Sequence, residues 1–316
     1  MELMSQVIVA LFSASFIAAL IVSSTPVLLA AIGEVVVEKS GVLNLGVEGM
    51  MIVGAICGLA GAIATGSPLV GFACAALGGA TLSLIFAVLT QYFLANQVAS
   101  GLALTLFGLG LSALIGQPYE QSTPPTAGRM DVPALSDLPV IAQIFFSHDL
   151  SVYIAIALVV AVWWVLKSTR AGLVLRAVGE NHDAAHALGY KVIYVRLLAI
   201  MFGGACAGLG GGALILVSVP QRTPGMTSGA GWIALAIVVF AGWRPWWVLI
   251  GALMFGGITA FQFRLQILNV PIPVEYLAMS PYLITIVVLV IISARKGSST
   301  ALNAPASLGR VFHASR

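Results

Sequence analysis

Two long stretches without a formal charge decide what this chain can fold into. No Asp, Glu, Lys or Arg lies between Glu2 and Glu34, and none between Glu48 and Glu120. The second stretch has room for three spans of about 20 residues, the length that crosses a hydrocarbon core of about 30 Å. Further gaps run Asp149–Lys167, Arg196–Arg222, Arg222–Arg244, Arg244–Arg264 and Glu275–Arg295, and each fits one helix. Of the 316 residues, 60% are hydrophobic and 8% charged, against about 25% charged in a soluble domain. Such a chain cannot cover itself in water. The expected fold is all-α: a polytopic transmembrane bundle of about nine spans, with broken or re-entrant helices.

The spans are read as roughly 7–32, 45–65, 69–94, 97–116, 150–166, 195–217, 230–242, 246–265 and 280–294. The seventh is short for a full crossing and is read as re-entrant or tilted. The N-terminal apolar segment lacks the basic flank of a signal peptide, so it is read as a retained helix. Cys57, Cys74 and Cys206 sit in apolar stretches and are read as packing residues.

Lys and Arg favour cytoplasmic loops. With the N-terminus outside, eleven of them fall inside: Lys39, Lys167, Arg170, Arg176, Lys191, Arg196, Arg244, Arg295, Lys296, Arg310 and Arg316. Only Arg129, Arg222 and Arg264 fall outside. The loop 117–149 holds Glu120, Asp131, Asp137 and Asp149 and suits the outer face. Residues 1–296 form the membrane domain on this reading. Residues 297–316 form a Ser/Ala/Gly-rich cytoplasmic tail expected to be unstructured.

Two segments read as helices broken within the membrane. In Glu34–Met51, charges at Glu34, Glu38 and Lys39 give way to Ser40–Gly41, then Asn44, Gly46, Glu48 and Gly49, before an apolar helix. In Pro220–Ile233, prolines and glycines surround Gln221, Thr223 and Thr227 before another apolar helix. Irregular backbone at membrane depth is tolerated only inside protein or beside a cavity. Paired breaks point to a transport pathway. Asn44, Glu48, Gln221, Thr223 and Thr227 are therefore the candidate pathway residues. The competing reading is an ordinary loop with a helix cap, in which Glu48 merely favours a helix N-terminus.

Two catalytic motifs fail on inspection. GEVVVEKS (Gly33–Ser40) approaches a phosphate-binding loop but places Glu38 where glycine must let the backbone wrap a phosphate. HDAAH (His182–His186) sets two histidines one helical turn apart, yet a third metal ligand is not evident nearby and zinc peptidases use Glu, not Asp, beside the first histidine. No catalytic residue, resident metal or cofactor is expected.

The segment Lys167–Arg196 reads KSTRAGLVLRAVGENHDAAHALGYKVIYVR. Asn181 is placed to cap a helix starting at His182, and Gly189 to close it. A short rigid helix between two spans suits docking into a partner's groove. The alternative is a plain connecting loop.

Three stretches carry a family resemblance: GEVVVEKSGVLNLGVEGMMIVGA (Gly33–Ala55), STRAGLVLRAVGENHDAAHALGYKV (Ser168–Val192) and VPQRTPGMTSGAGWIALAIVVFAGWRPW (Val219–Trp246). The chain resembles permease subunits of bacterial ABC importers for simple sugars, nucleosides and branched-chain amino acids. It is most similar to the nucleoside and simple-sugar branch. That resemblance implies a multi-pass protein of the bacterial plasma (inner) membrane with its C-terminus in the cytoplasm. It implies a second permease subunit, separate ATPase subunits that hydrolyse ATP, and a periplasmic or lipid-anchored protein delivering a small polar solute. Contact with membrane lipid is implied, and a nucleic-acid partner is not. The ATPase-coupling segment is then Arg176, Ala177, Val178, Gly179, Glu180, Asn181, Asp183, Ala184, Ala185, Leu188 and Gly189. Family members often carry proline where His182 stands. Alternatives are an ion-coupled secondary transporter and, third, a membrane-embedded enzyme. Charged or histidine residues within the spans are scarce apart from Glu48, which disfavours both.

Overall fold

The computed structural model describes residues 13–120, 122–128, 148–221, 223, 225–267, 273–294 and 304–313. The start of the first expected span (7–12), most of the acidic loop (129–147), Arg222, Arg295, Lys296 and Arg316 lie outside them. Among the described residues there are helices and no strands. In chain order they are α1 (Ala14–Lys39), α2 (Val47–Thr65), α3 (Pro68–Ala87) and α4 (Gln97–Gly116). Then follow α5 (Leu150–Ser168), α6 (Arg170–Glu180), α7 (His182–Ala187) and α8 (Val192–Ala213). Last come α9 (Ala230–Phe240), α10 (Pro245–Ile267) and α11 (Val274–Ala294). Five-residue π-helical turns extend α3 to Tyr92 and α8 to Ser218.

Among the described residues, seven helices are long and apolar enough to cross a membrane: α1, α2, α3, α4, α5, α8 and α10. The 21 residues of α11 also suffice by length. The 11 residues of α9 reach only about 16 Å, half a bilayer core. Each of the nine expected spans thus has its helix, and the seventh is the short one.

The central element is α8, which packs on α1, α2 and α3. Its sequence GGACAGLGGGA (Gly203–Ala213) explains how. Packing between membrane helices rests on close backbone approach, which small residues allow. A Cβ on Gly208 would stand 2.1 Å from the Ala75 carbonyl oxygen, and one on Gly54 would stand 2.3 Å from Gly208. Three backbones therefore meet where no side chain fits. The windows of α2 and α8 are 72% and 67% buried, those of α4 and α10 only 28%, so the first pair is core and the second periphery.

Three expectations need correcting. The first span runs to Lys39, not to residue 32. Glu34 and Glu38, read as the start of the first break, are buried and belong to the helix before it. Glu38 accepts from the indole Nε1 of Trp243, and Glu34 from Asn44. Second, Arg176–Glu180 are not loop. They close α6, an amphipathic helix that turns off α5 at Thr169, whose hydroxyl accepts from Gly172 N at 3.1 Å. Third, residues 304–313 of the tail are packed against the bundle. Ser307 N donates to Gly179 O (2.9 Å) and Gly309 N to Gly41 O (3.1 Å). Phe312 is buried between His182 and His186.

Candidate functional site: two broken helices and a docking end

The first break, Ser40–Gly46, is folded back into the bundle. Gly41 takes a left-handed turn (φ +86°) that reverses the chain after α1. Asn44 then reaches Glu34 (3.4 Å). Glu34 lies five residues before the end of α1, about 7.5 Å up its axis. The break thus lies alongside the last turns of α1, with its backbone polar groups answered by protein. Gln97 accepts from Leu43 N at 2.8 Å and the Thr105 hydroxyl donates to Leu45 O at 3.1 Å, both from α4. The Asn44 side chain accepts from Gly46 N at 3.0 Å. Glu34 Oε1 is the one fully buried side-chain oxygen among the described residues without a hydrogen-bond partner.

The second break, Val219–Gly229, leads into α9 and meets the first directly. Glu48, in the first turn of α2, is 4% exposed. Its Oε1 accepts from the Thr227 hydroxyl (2.5 Å) and Gly229 N (2.9 Å), and its Oε2 from Gly231 N (2.7 Å). The carboxylate therefore caps α9, where unpaired N–H groups and the helix dipole favour an anion. The approach is close: a Cβ on Gly231 would lie 2.6 Å from the Glu48 backbone. One side chain holds two broken helices that are 179 residues apart in sequence.

The five candidate pathway residues do not converge on one place. Glu48 and Thr227 are buried in this clamp, and Asn44 is buried in the first break on Glu34. Thr223 lines a cavity of about 160 Å³, together with Gly225 and Met226 of the second break, Ile52 and Ile56 of α2, and Leu109 and Ser112 of α4. Gln221 is exposed and does not reach the cavity. The cavity is smaller than the roughly 300–1,000 Å³ of a small-molecule site. Ser112 and Met226 escaped the sequence reading, since each is a common residue in an apolar run.

At this same C-terminal end of α1, beside the first break, the candidate coupling residues gather. Asn181 caps α7 by accepting from Ala184 N at 2.9 Å, and Gly189 (φ +89°) closes it, as expected. Asp183, Ala184, Leu188 and Gly189 of the candidate coupling residues face outward, as do Arg176, Glu180 and Asn181. Leu188 is 76% exposed. Ala177 is half-buried, and Val178, Gly179 and Ala185 are buried. A Cβ on Gly179 would stand 2.1 Å from Lys39 O, so α6 rests on the backbone at the end of α1.

Arg196, read from sequence only as a loop cation, is the largest fully buried side chain among the described residues. Its Nε donates to Ser40 O (3.2 Å), its Nη1 to Arg310 O (3.2 Å) and its Nη2 to His182 Nδ1 (3.2 Å). Arginine only donates, so His182 accepts at Nδ1 and carries its proton on Nε2. Burial, and then the Arg196 charge, hold the His182 pKa below its usual 6.5. Arg196 thus ties α7, the first break and the C-terminal segment to α8. A lone arginine at the edge of an apolar run gives no signal of this in sequence.

Comparison with known proteins places these features in context. Residues 16–293 match the family model described as "Branched-chain amino acid transport system / permease component". The "Putative glucose ABC transporter permease protein TsgC13" of Haloferax volcanii is 40% identical over 262 residues, 82% of this chain and 80% of its own length. The guanosine ABC transporter permease protein NupQ of Bacillus subtilis is 34% identical over 306 residues, 92% of this chain and 96% of its own. The nucleoside ABC transporter permease protein NupC of Lactococcus lactis is 34% identical over 286 residues, 86% and 90% respectively.

Proposed function

The chain belongs to the branched-chain amino acid transport system permease family, and on that footing we propose that it is the membrane-spanning subunit of an ATP-driven nucleoside importer. The observation that carries the substrate class is the near end-to-end similarity to a guanosine permease, 96% of that protein's length. A second reading, import of a simple sugar, draws on the higher identity to the glucose permease over a shorter span.

On this reading the N-terminus lies outside and the C-terminus in the cytoplasm. The end that carries Lys39, Lys167, Arg176, Arg196, Arg244 and residues 304–313 faces the cytoplasm, where cations are favoured. Separate ATPase subunits dock on the outward face of α7. A second permease completes the path, since the cavity beside Thr223 is too small for a ligand by itself. A periplasmic or lipid-anchored protein delivers the solute. This chain contributes positioning and no chemistry of its own.

The mechanism follows from the connections. ATP binding draws the ATPases together and moves α7. Arg196 passes that movement to the Ser40 carbonyl, at the hinge Gly41. The first break carries Glu48, and Glu48 carries α9 and the second break. The loop bearing Thr223 then moves against α2 and α4, and the cavity changes its opening.

The test is uptake by vesicles containing this chain with its ATPase, second permease and binding protein. Labelled guanosine is expected to accumulate with ATP and not with an ion gradient alone. Accumulation of glucose or pentose without nucleoside would overturn the substrate class. Uptake by this chain alone, driven by an ion gradient, would overturn the mechanism.

A further inference from the structure

A second cavity, of about 480 Å³, opens at the cationic end of the bundle and plays no part in the path described above. Four cations line it, each from a different segment: Lys39 at the end of α1, Lys167 of α5, Arg176 of α6, and Arg244 before α10. No carboxylate is among its lining residues. Two acids act on Lys39: Glu180, close enough to interact with it, and Glu38, engaged by the Trp243 indole. Arg176 and Arg244 both repel Lys39. Like charges converge here without an equal number of acids, and an anion relieves that repulsion.

The walls are aromatic. Trp163 and Trp246 meet edge to face, with centroids 6.1 Å apart. Lys167 lies 5.0 Å from the Trp163 ring and Lys39 5.9 Å from that of Trp243. Trp246 and Trp247 are 43% and 56% exposed. Tryptophan gathers at the headgroup level of a bilayer, and basic clusters there select anionic headgroups. The cavity lies where α5 meets α10. Both helices present wide apolar faces outward, through Val160 and Trp164 on one and Ile250 and Met254 on the other. We infer that this cavity binds the headgroup of an anionic phospholipid, with the acyl chains lying along the exposed faces of α5 and α10. A soluble phosphate has no use for those faces. An acidic segment of a docking ATPase would meet the cations but not the tryptophans turned toward the bilayer.

The experiment is native mass spectrometry of the full chain in mild detergent, supplied with equal phosphatidylglycerol and phosphatidylcholine. Wild type should retain phosphatidylglycerol selectively. Each cation near a membrane surface contributes about five-fold in affinity, so Lys167→Gln with Arg244→Gln should reduce retention roughly thirty-fold. Glycerol 1-phosphate, the same anion without chains, should not displace the lipid at equal concentration. Equal retention of both lipids by wild type would overturn the inference, and that readout needs no variant to fold. Displacement by glycerol 1-phosphate would reassign the site to a soluble anion. Unchanged lipid retention with lost ATPase association in the double variant would reassign it to the partner protein.

Discussion

Replacing Glu48 with Gln keeps the shape of the clamp and breaks its logic. Both carboxylate oxygens accept backbone N–H groups, Gly229 on one side and Gly231 on the other. A glutamine has one acceptor oxygen and one NH2. If the oxygen faces Gly229, the NH2 confronts the Gly231 N–H. If the amide flips, the Gly229 N–H is stranded while the Thr227 hydroxyl turns to accept. Either way one buried N–H loses its partner, which costs about 1–3 kcal/mol. Loss of an anion at a partly buried helix N-terminus adds up to about 2 kcal/mol. A total near 3 kcal/mol is about two decades in an opening equilibrium. Hydrogen exchange of the purified chain should show amides 229–233 exchanging roughly a hundred-fold faster, with those of the α8 core unchanged. Rates at 229–233 within two-fold of wild type would refute the clamp. A uniform rise across α8 would refute its being local.

Other perturbations test other links. Gly208→Val should prevent folding, because its side chain would enter backbone contacts already closed to a Cβ; overpacking costs typically about 1–3 kcal/mol, and a detergent-stable, monodisperse variant would count against the contact. Leu188→Asp should leave the membrane domain folded and weaken ATP-dependent uptake at least ten-fold, since Leu188 is exposed and touches no core; full uptake would remove α7 from the docking surface. Removal of residues 304–316 deletes six hydrogen bonds, one each to Gly41, Gln97, Gly179 and Arg196 and two to Glu180, upward of about 3 kcal/mol at roughly 0.5–1.5 each, and should accelerate amide exchange in α6 and α7. The His182 pKa is lowered by folding, so the contact with Arg196 contributes stability above the unfolded value of about 6.5 and loses it as pH falls. Acidification from pH 7.5 to 5 should loosen α7, whereas His182→Pro, allowed at a first helical position, should abolish that dependence; an equal acid response in the proline variant would assign it elsewhere.

How much of this was legible in the sequence depended on whether the signal was local. Charge-free length placed nine helices, because a bilayer imposes its thickness on any segment that crosses it. Asn181 and Gly189 marked α7 because caps are chosen by the backbone next to them. The errors came where a distant contact overrode local chemistry. Glu34 and Glu38 were read with the first break, yet they sit within α1, where Asn44 and Trp243 receive them. The tail looked unstructured by composition, yet it is held through its backbone by Gly41 and Gly179. Glu48 is costly to bury, and the sequence held open both of its readings, pathway residue and helix-terminus anion. Its partners Gly229 and Gly231 sit in a glycine-rich run that betrays no single contact.

Charge in this bundle is sparse, and two of its buried charges fall on the joints. Glu48 bridges the two breaks. Arg196 joins the hinge at Ser40 to α7 and to the C-terminal segment. An apolar contact between helices slides at little cost, since lipid is as apolar as leucine. A buried ion held by backbone groups does not slide, because leaving them strands it in a low dielectric. The segments that must move together are therefore tied by ions, while the glycine-lined face of α8 supplies the fixed frame. On the proposed mechanism, a docking event at α7 would reach Thr223 by this route, through two charged side chains and the short break between them. Neutralising either one should uncouple the two ends while the α8 core stays intact.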